Sequence, residues 1–191
     1  MAGSTMMQYM TYYGSKELAS AFRTVRRNTI QIAEDIPEEK YGFQPAPGTR
    51  TVAQTLAHIA MLLQFSQQMG KLNSLEGFDF PKYFAEAAAE EAKARTKAEL
   101  LEWLRQTGEE FATWVETLPE DYLAQVFTFP PGAQPPSRTR FDMIMSVKEH
   151  EMHHRGQLML IERMLGITPH LTRQMQQRTA AMQQGQQAQR A

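Results

Sequence analysis

The stretch RFDMIMSVKEHEMHHRGQLMLIERML, residues 140–165, decides how the rest of the chain is read. Its apolar residues recur at the three-and-four spacing of one helix face. At about 100° per residue, with His150 as origin, Ile161 falls at about 20°, Val147 and Leu165 at about 60° and Leu158 at about 80°. His154 falls at about 40°, in the middle of that face, whereas His153 falls at about 300°, at its edge. Thr139 is placed to cap the helix start, Gly166 to follow its last turn and Pro169 to bar continuation. Burying an apolar side chain gains roughly 1.5–3 kcal/mol. A helix that gives two inward positions to imidazoles must supply them with polar partners, because unpaired buried polar groups are costly.

Three further long helices are predicted upstream. Leu18, Phe22, Val25, Thr29 and Ile32 mark one face over about Ser15–Ile36, which Pro37 ends. The connector EEKYGFQPAPGTR, residues 38–50, reads as a loop. Thr51 and Gln54 form a capping box that opens a second helix, with Val52, Leu56, Ile59 and Leu63 inward and Gly70 as its stop. Thr96 and Glu99 repeat the box for a third, with Leu100, Leu104, Phe111, Trp114, Val115 and Leu118 inward and Pro119 beyond. Between the second and third helices, YFAEAAAEEAKA (residues 83–94) is rich in helix formers but poor in apolar content. It reads as a short, mostly exposed helix. The Pro-rich stretch DYLAQVFTFPPGAQPPSRT, residues 121–139, reads as a long crossover holding one extended piece. The expected fold is therefore all-α, a four-helix bundle with a long crossover before the last helix, over residues 1–170. The Gln-rich remainder, 171–191, has little to bury and reads as a flexible tail or frayed helix.

Composition narrows the function classes. The chain has 191 residues, 42% hydrophobic and 21% charged, with formal net charge −1. No clustered basic run is present to neutralise phosphates, so nucleic acid is not an expected partner. No segment approaches the roughly 20 apolar residues that span a bilayer. The start MAGSTMMQYMTYYGS does not read as a signal peptide, and the expected location is cytoplasmic. There are no cysteines, so protein-supplied metal ligands must be nitrogen or oxygen and no catalytic thiol is available.

Residues four apart on a helix have Cβ atoms about 5–6 Å apart. That suits two ring nitrogens converging on one metal at roughly 2.0–2.1 Å. His58 is the candidate third ligand. It shares a stripe with Thr55, Leu62 and Phe65 on the second helix, with Gln54, Gln64, Gln67 and Gln68 on the other side. Three histidines leave a coordination position open, as catalytic sites do. His153 and His170 read as ordinary histidines, His153 with the option of a hydrogen bond at the rim.

Residues 150–154, HEMHH, also match the H-E-x-x-H pattern of zinc peptidases. The extension fails: Gln157 and Leu160 stand where a glycine and a third histidine would be needed. Glu162 lies two turns beyond His154 on the same helix, and no acidic residue follows it. Glu151 then reads as a surface carboxylate pairing with Arg155. The sharper alternative is a base or hydrogen-bonding group beside a water activated at the metal. Gly156 in mid-helix costs about 1 kcal/mol relative to Ala and suggests a closely packed neighbour. Gln157 borders the His150 face, where it can orient an imidazole or simply pack.

Two stretches together resemble the DinB-like (DinB/YfiT) superfamily of metal-dependent enzymes. EEKYGFQPAPGTRTVAQTLAHIA, residues 38–60, looks like that family's aromatic, proline and glycine loop running into the helix of the first ligand histidine. HEMHHRGQL, residues 150–158, looks like its H-x-x-x-H-R-G-Q segment. The resemblance covers roughly residues 12–168. It implies a four-helix bundle holding a divalent metal, zinc or nickel, on His58, His150 and His154. It also implies a homodimer acting on a small molecule, with a low-molecular-weight thiol as cosubstrate of a transferase or isomerase. The acidic, alanine-rich insert near 85–95 and the Gln-rich tail look like departures that leave the ligand positions untouched. Two other functions stay open: a non-catalytic metal or small-ligand binder, and a metal-dependent hydrolase with Glu151 as base.

Overall fold

The computed structural model describes residues 13–188 except 73 and 76. Most of the N-terminal stretch read above as no signal peptide lies outside the described residues, as do the last three residues of the tail. Four long helices form the bundle: α1 (Ser15–Asp35), α2 (Val52–Gly70), α4 (Lys97–Glu116) and α6 (Arg140–Met164). The short α3 (Phe80–Glu91) and α5 (Glu120–Ala124) lie between them, and α7 (His170–Ala188) follows. The helix starts are set by local chemistry. Thr51 and Thr96 accept from the backbone N–H of Gln54 and Glu99, whose side chains accept in return. Thr139 caps α6 by accepting from the Asp142 N–H at 3.1 Å. Gly14 begins α1 with its N–H donated to the Glu17 carboxylate at 3.0 Å.

The crossover holds a two-stranded antiparallel hairpin, β1 (Val126–Thr128) and β2 (Ser137–Thr139), rather than a single extended piece. Phe127 turns inward between exposed neighbours, and the Arg140 N–H donates to Gln125 O at 2.8 Å where β2 runs into α6. That pairing gives the strand backbone the partners it needs away from helices.

α1 packs on α4 and α6, and α2 packs on the same two helices. The apolar interior is split. At one end Ile32, Leu56, Ile59, Leu104, Leu158 and Ile161 pack together. At the other end Leu18, Phe22, Leu63, Phe111, Val115 and Val147 do so. The layer between them is polar. It carries Arg26 and Thr29 from α1, Thr107 from α4, and Glu151 with His154 from α6, all buried. The bundle's middle is therefore where the sequence gives up apolar burial, and the site lies there.

α7 is anchored at its first turn. His170 is buried with Nε2 3.2 Å from Asn28 Oδ1, and Arg173 pairs with Asp35 at 2.6 Å. From Gln174 to Ala188 the helix is exposed. Among the described residues no helix is long and apolar enough to cross a membrane.

Candidate metal centre

His58 projects from the second turn of α2, and His150 and His154 from successive turns of α6. Their facing nitrogens all lie within 4.8 Å of one another. His150 Nε2 is 3.1 Å from His58 Nε2 and 3.2 Å from His154 Nε2. The outer nitrogens decide the tautomers. His58 Nδ1 lies 2.5 Å from Glu91 Oε1, a carboxylate that can only accept when ionised, so the proton sits on Nδ1. His154 Nδ1 lies 2.7 Å from Gln157 Oε1, while the Gln157 amide nitrogen faces His153 Nε2 at 3.1 Å. Both arrangements leave a bare Nε2 lone pair turned inward. His150 Nε2 has at most one proton to offer to two such acceptors, so at least one of its contacts sets lone pair against lone pair.

A shared cation relieves that conflict, and the spacing suits one. Two nitrogens at about 2.05 Å from a tetrahedral ion are about 3.3 Å apart. Imidazoles whose second nitrogen is held by a carboxylate or amide are typical of metal ligands. Electrostatics favours neutral donors. Burial first, then the neighbouring imidazoles, pushes His150 down to about 4. Burial pushes His154 to about 4 as well, against an opposing hydrogen bond from Gln157. Burial also lowers His58, with Glu91 partly offsetting it. Neutral imidazoles need lose no proton to bind a metal.

Glu91 and Arg50 were missed in sequence. Burial alone would raise Glu91, but hydrogen bonds from Arg50 and His58 outweigh it and hold its carboxyl below the usual range. Arg50 Nε reaches Glu91 Oε2 at 2.7 Å. The insert near 85–95 thus does touch a candidate ligand position, contrary to expectation: its last helical residue braces His58. A pair of adjacent acids ending an exposed helix carries no sequence signal of this role.

Glu151 also departs from expectation. It is not a surface partner of Arg155; it is 2% exposed and paired with Arg26. Arg26 Nε and Nη2 donate to its two oxygens at 2.9 Å each, and the Thr29 hydroxyl donates at 2.8 Å. Both oxygens are engaged on the α1 side of α6, away from a free base's position. Gly156 has no close neighbour either, since a Cβ there would meet nothing within 4 Å. Close approaches fall instead at Gly70 of α2, against the Trp114 ring, and at Gly108 of α4, where a Cβ would stand 2.6 Å from Arg26 Cγ.

Two openings flank the three histidines. A cavity of about 480 Å³ between α2, α4 and α6 has His150 in its wall and mostly aromatic and aliphatic residues around it. A groove of about 780 Å³ between the 45–50 loop, α3 and α6 has His154, Gln157, Glu91 and Arg50 in its wall.

The family model of the DinB superfamily matches residues 21–158. No protein of curated function matches the chain. Two solved structures from Bacillus subtilis share its fold. The DinB-like protein YjoA is 21% identical, with a TM-score of 0.61 over 80% of this chain and 94% of that one. YfiT is 17% identical, with a TM-score of 0.62 over 81% of this chain and 89% of its own; it is described as a probable metal-dependent hydrolase with an unusual four-helix bundle topology.

Proposed function

We propose that this chain, which belongs to the DinB superfamily, is a divalent-metal-dependent enzyme of thiol transferase or isomerase type. His58, His150 and His154 hold the metal, with zinc or nickel as the ion. The observation that carries this reading is the inward turn of three Nε2 atoms whose outer partners, where present, fix them there. A bound divalent cation lowers the pKa of a coordinated thiol or water and so supplies a nucleophile near neutral pH. Glu91 and Gln157 keep the Nδ1 protons of His58 and His154 in place and fix the rings. The cavity wall at His150 positions an electrophile. In transfer, the S–H proton leaves, sulfur bonds to the electrophilic carbon, and the displaced group departs with its electron pair and takes up a proton.

The cavity reaching His150 argues against a sealed, purely structural site. A second reading is a metal-dependent hydrolase, favoured by the polar groove at His154, which admits water, and by the likeness to YfiT. In that case the base is not Glu151, whose oxygens are already engaged by Arg26 and Thr29.

Metal analysis of the purified protein, combined with a conjugation assay using several low-molecular-weight thiols, tests the proposal. About one divalent ion per chain and metal-dependent loss of free thiol with an electrophile are expected. A folded protein that cannot be loaded with zinc, nickel or cobalt would remove the ligand assignment. A loaded protein that consumes water-labile esters or amides but no thiol would favour the hydrolase.

A further inference from the structure

The two openings beside the histidines differ in chemistry. The cavity is walled by Phe65, Phe80, Phe111, Trp114 and Phe129, and its charged residues are Arg138 and Arg140, with no carboxylate among them. The groove presents Arg50, Glu91, Gln54, His153 and Gln157. His150 belongs to the first wall and His154 to the second, although their Nε2 atoms are 3.2 Å apart.

Arg140 gives the cavity its electrostatic character. It is 4% exposed and forms no ion pair among the described residues. Its Nη1 and Nη2 donate to the carbonyls of Gly70 at 3.3 Å and Leu72 at 2.5 Å, at the end of α2, while its Nε has no partner among the described residues. Its guanidinium carbon stands 4.7 Å from the Phe127 ring centroid and 5.2 Å from that of Tyr122. Carbonyl dipoles and ring faces stabilise a guanidinium, but among the described residues no carboxylate pairs with it. Arg138 adds a second guanidinium, paired at the rim with Asp142 at 3.5 Å. A largely apolar pocket of this size suits a small organic ligand. With two guanidinium groups and no carboxylate in its described wall, the cavity rejects cations and accepts neutral or anionic molecules.

We infer that the histidine cluster is served from two sides at once: an aromatic, neutral or anionic substrate enters the cavity and reaches His150, while a hydrophilic reactant enters the groove and reaches His154. The inference rests on the metal reading above for the reactant's destination, but the cavity ligand is testable without metal.

The test uses three probes with a naphthalene body: neutral N-phenyl-1-naphthylamine, its anionic sulfonate analogue, and a naphthylmethyl ammonium cation. Their binding is read by fluorescence or by displacement in metal-free and cobalt-loaded protein. The neutral and anionic probes are expected to bind and the cation to bind at least about tenfold more weakly, a 1.4 kcal/mol difference. Ser146→Phe, which fills the cavity, should weaken both binders about tenfold, whereas Ala88→Trp, which narrows the groove, should not. Arg138→Gln should weaken the anion selectively. The reactant side is read by the visible spectrum of the cobalt-loaded protein titrated with 2-mercaptoethanol. Its midpoint should be unchanged by saturating probe and raised by Ala88→Trp. Mutually exclusive binding of probe and thiol, equal binding of the cation, or indifference of the probes to Ser146→Phe would overturn the two-sided arrangement. Failure of cobalt to load would overturn the metal reading, and the fluorescence titrations would still decide the cavity ligand.

Discussion

Glu151 and Arg26 meet in a buried, two-pronged ion pair, with both N–O distances 2.9 Å. Arg26 also donates to Leu104 O at 2.6 Å and to the Thr107 hydroxyl at 3.1 Å, and approaches Ile59 O at 3.5 Å. Ile59 follows His58 in sequence, and Glu151 lies between His150 and His154. One guanidinium therefore ties together the two helices that carry the histidines. Removing one partner of such a pair strands a buried charge and costs about 3–5 kcal/mol, whereas an apolar swap of both is often neutral. Glu151→Ala should lose stability of that order in urea unfolding. Arg26→Met/Glu151→Leu should recover most of it. If Glu151 has no proton-transfer role, the double variant keeps turnover within about tenfold. A base contributes about 10²–10⁴-fold, so a larger loss at native stability and full metal loading would restore Glu151 as a base.

The same hub makes Gly108 sensitive. Replacing glycine by alanine inside a helix ordinarily gains about 1 kcal/mol. Here the new Cβ would stand 2.6 Å from the stem of Arg26, whose far end is held by α2, α4 and α6 and cannot swing aside. Gly108→Ala is expected to be net destabilising by about 1–3 kcal/mol, the cost of overpacking. Gly156→Ala, whose Cβ would meet nothing within 4 Å beyond its own helix backbone and chain neighbours, should stabilise instead. Thermal unfolding of the two variants beside the parent decides the matter, and a rise in Tm for Gly108→Ala would show that Arg26 is not locked.

The helices were legible because capping boxes at Thr51 and Thr96 and prolines at 37 and 119 punctuate strong periodicity. His150 and His154 were legible because two imidazoles interrupt an apolar face. The Arg26–Glu151 pair left a trace as well: Arg26 is one turn beyond Phe22, on the inward face of α1, where a charge demands a partner. Nothing local names that partner, since it lies 125 residues away. Glu91 left less. It belongs to a helix with no buried residue, so no periodicity separates it from Glu90 beside it, which binds Arg95 and Lys93. Only the placement of α3 against α2 assigns Glu91 to His58.

Metal affinity should rank the histidines and their supports. His154→Ala removes an inward nitrogen and should weaken binding by more than about a hundredfold, beyond the usual effect of outer hydrogen-bond partners. His153→Ala removes only a partner of Gln157 and should change affinity by less than about threefold. Glu91→Gln keeps the size of the side chain but weakens its acceptor to His58, and should cost about tenfold. Competition with a chromophoric chelator measures all three. Equal losses for His153→Ala and His154→Ala would contradict the inward assignment of His154.

Glu162 offers a prediction about pH. It is fully buried on α6, and neither carboxylate oxygen has a hydrogen-bond partner among the described residues. Burial, then Asp35 of α1, pushes it up to about 7, against the opposing charges of Arg173 on α7 and Arg163 on α6. His170 of α7 also lies near Asp35 and Arg173, and is itself lowered by burial. Unfolded, Glu162 releases its proton near 4.5. Between those two values the folded chain binds more protons than the unfolded one, so this residue's contribution to stability falls as pH rises and levels off above about 7. The total is about 3 kcal/mol at most. His150, His154 and His170, lowered by burial, slope the opposite way over part of the same range, so the parent's own pH curve mixes the two. The difference between Glu162→Gln and the parent isolates Glu162. Urea unfolding at pH 4.5, 6 and 8 should give nearly equal stabilities at the lowest pH and a growing advantage for the glutamine variant above it. A constant difference across the three pH values would mean that Glu162 ionises normally and that its buried oxygens are solvated.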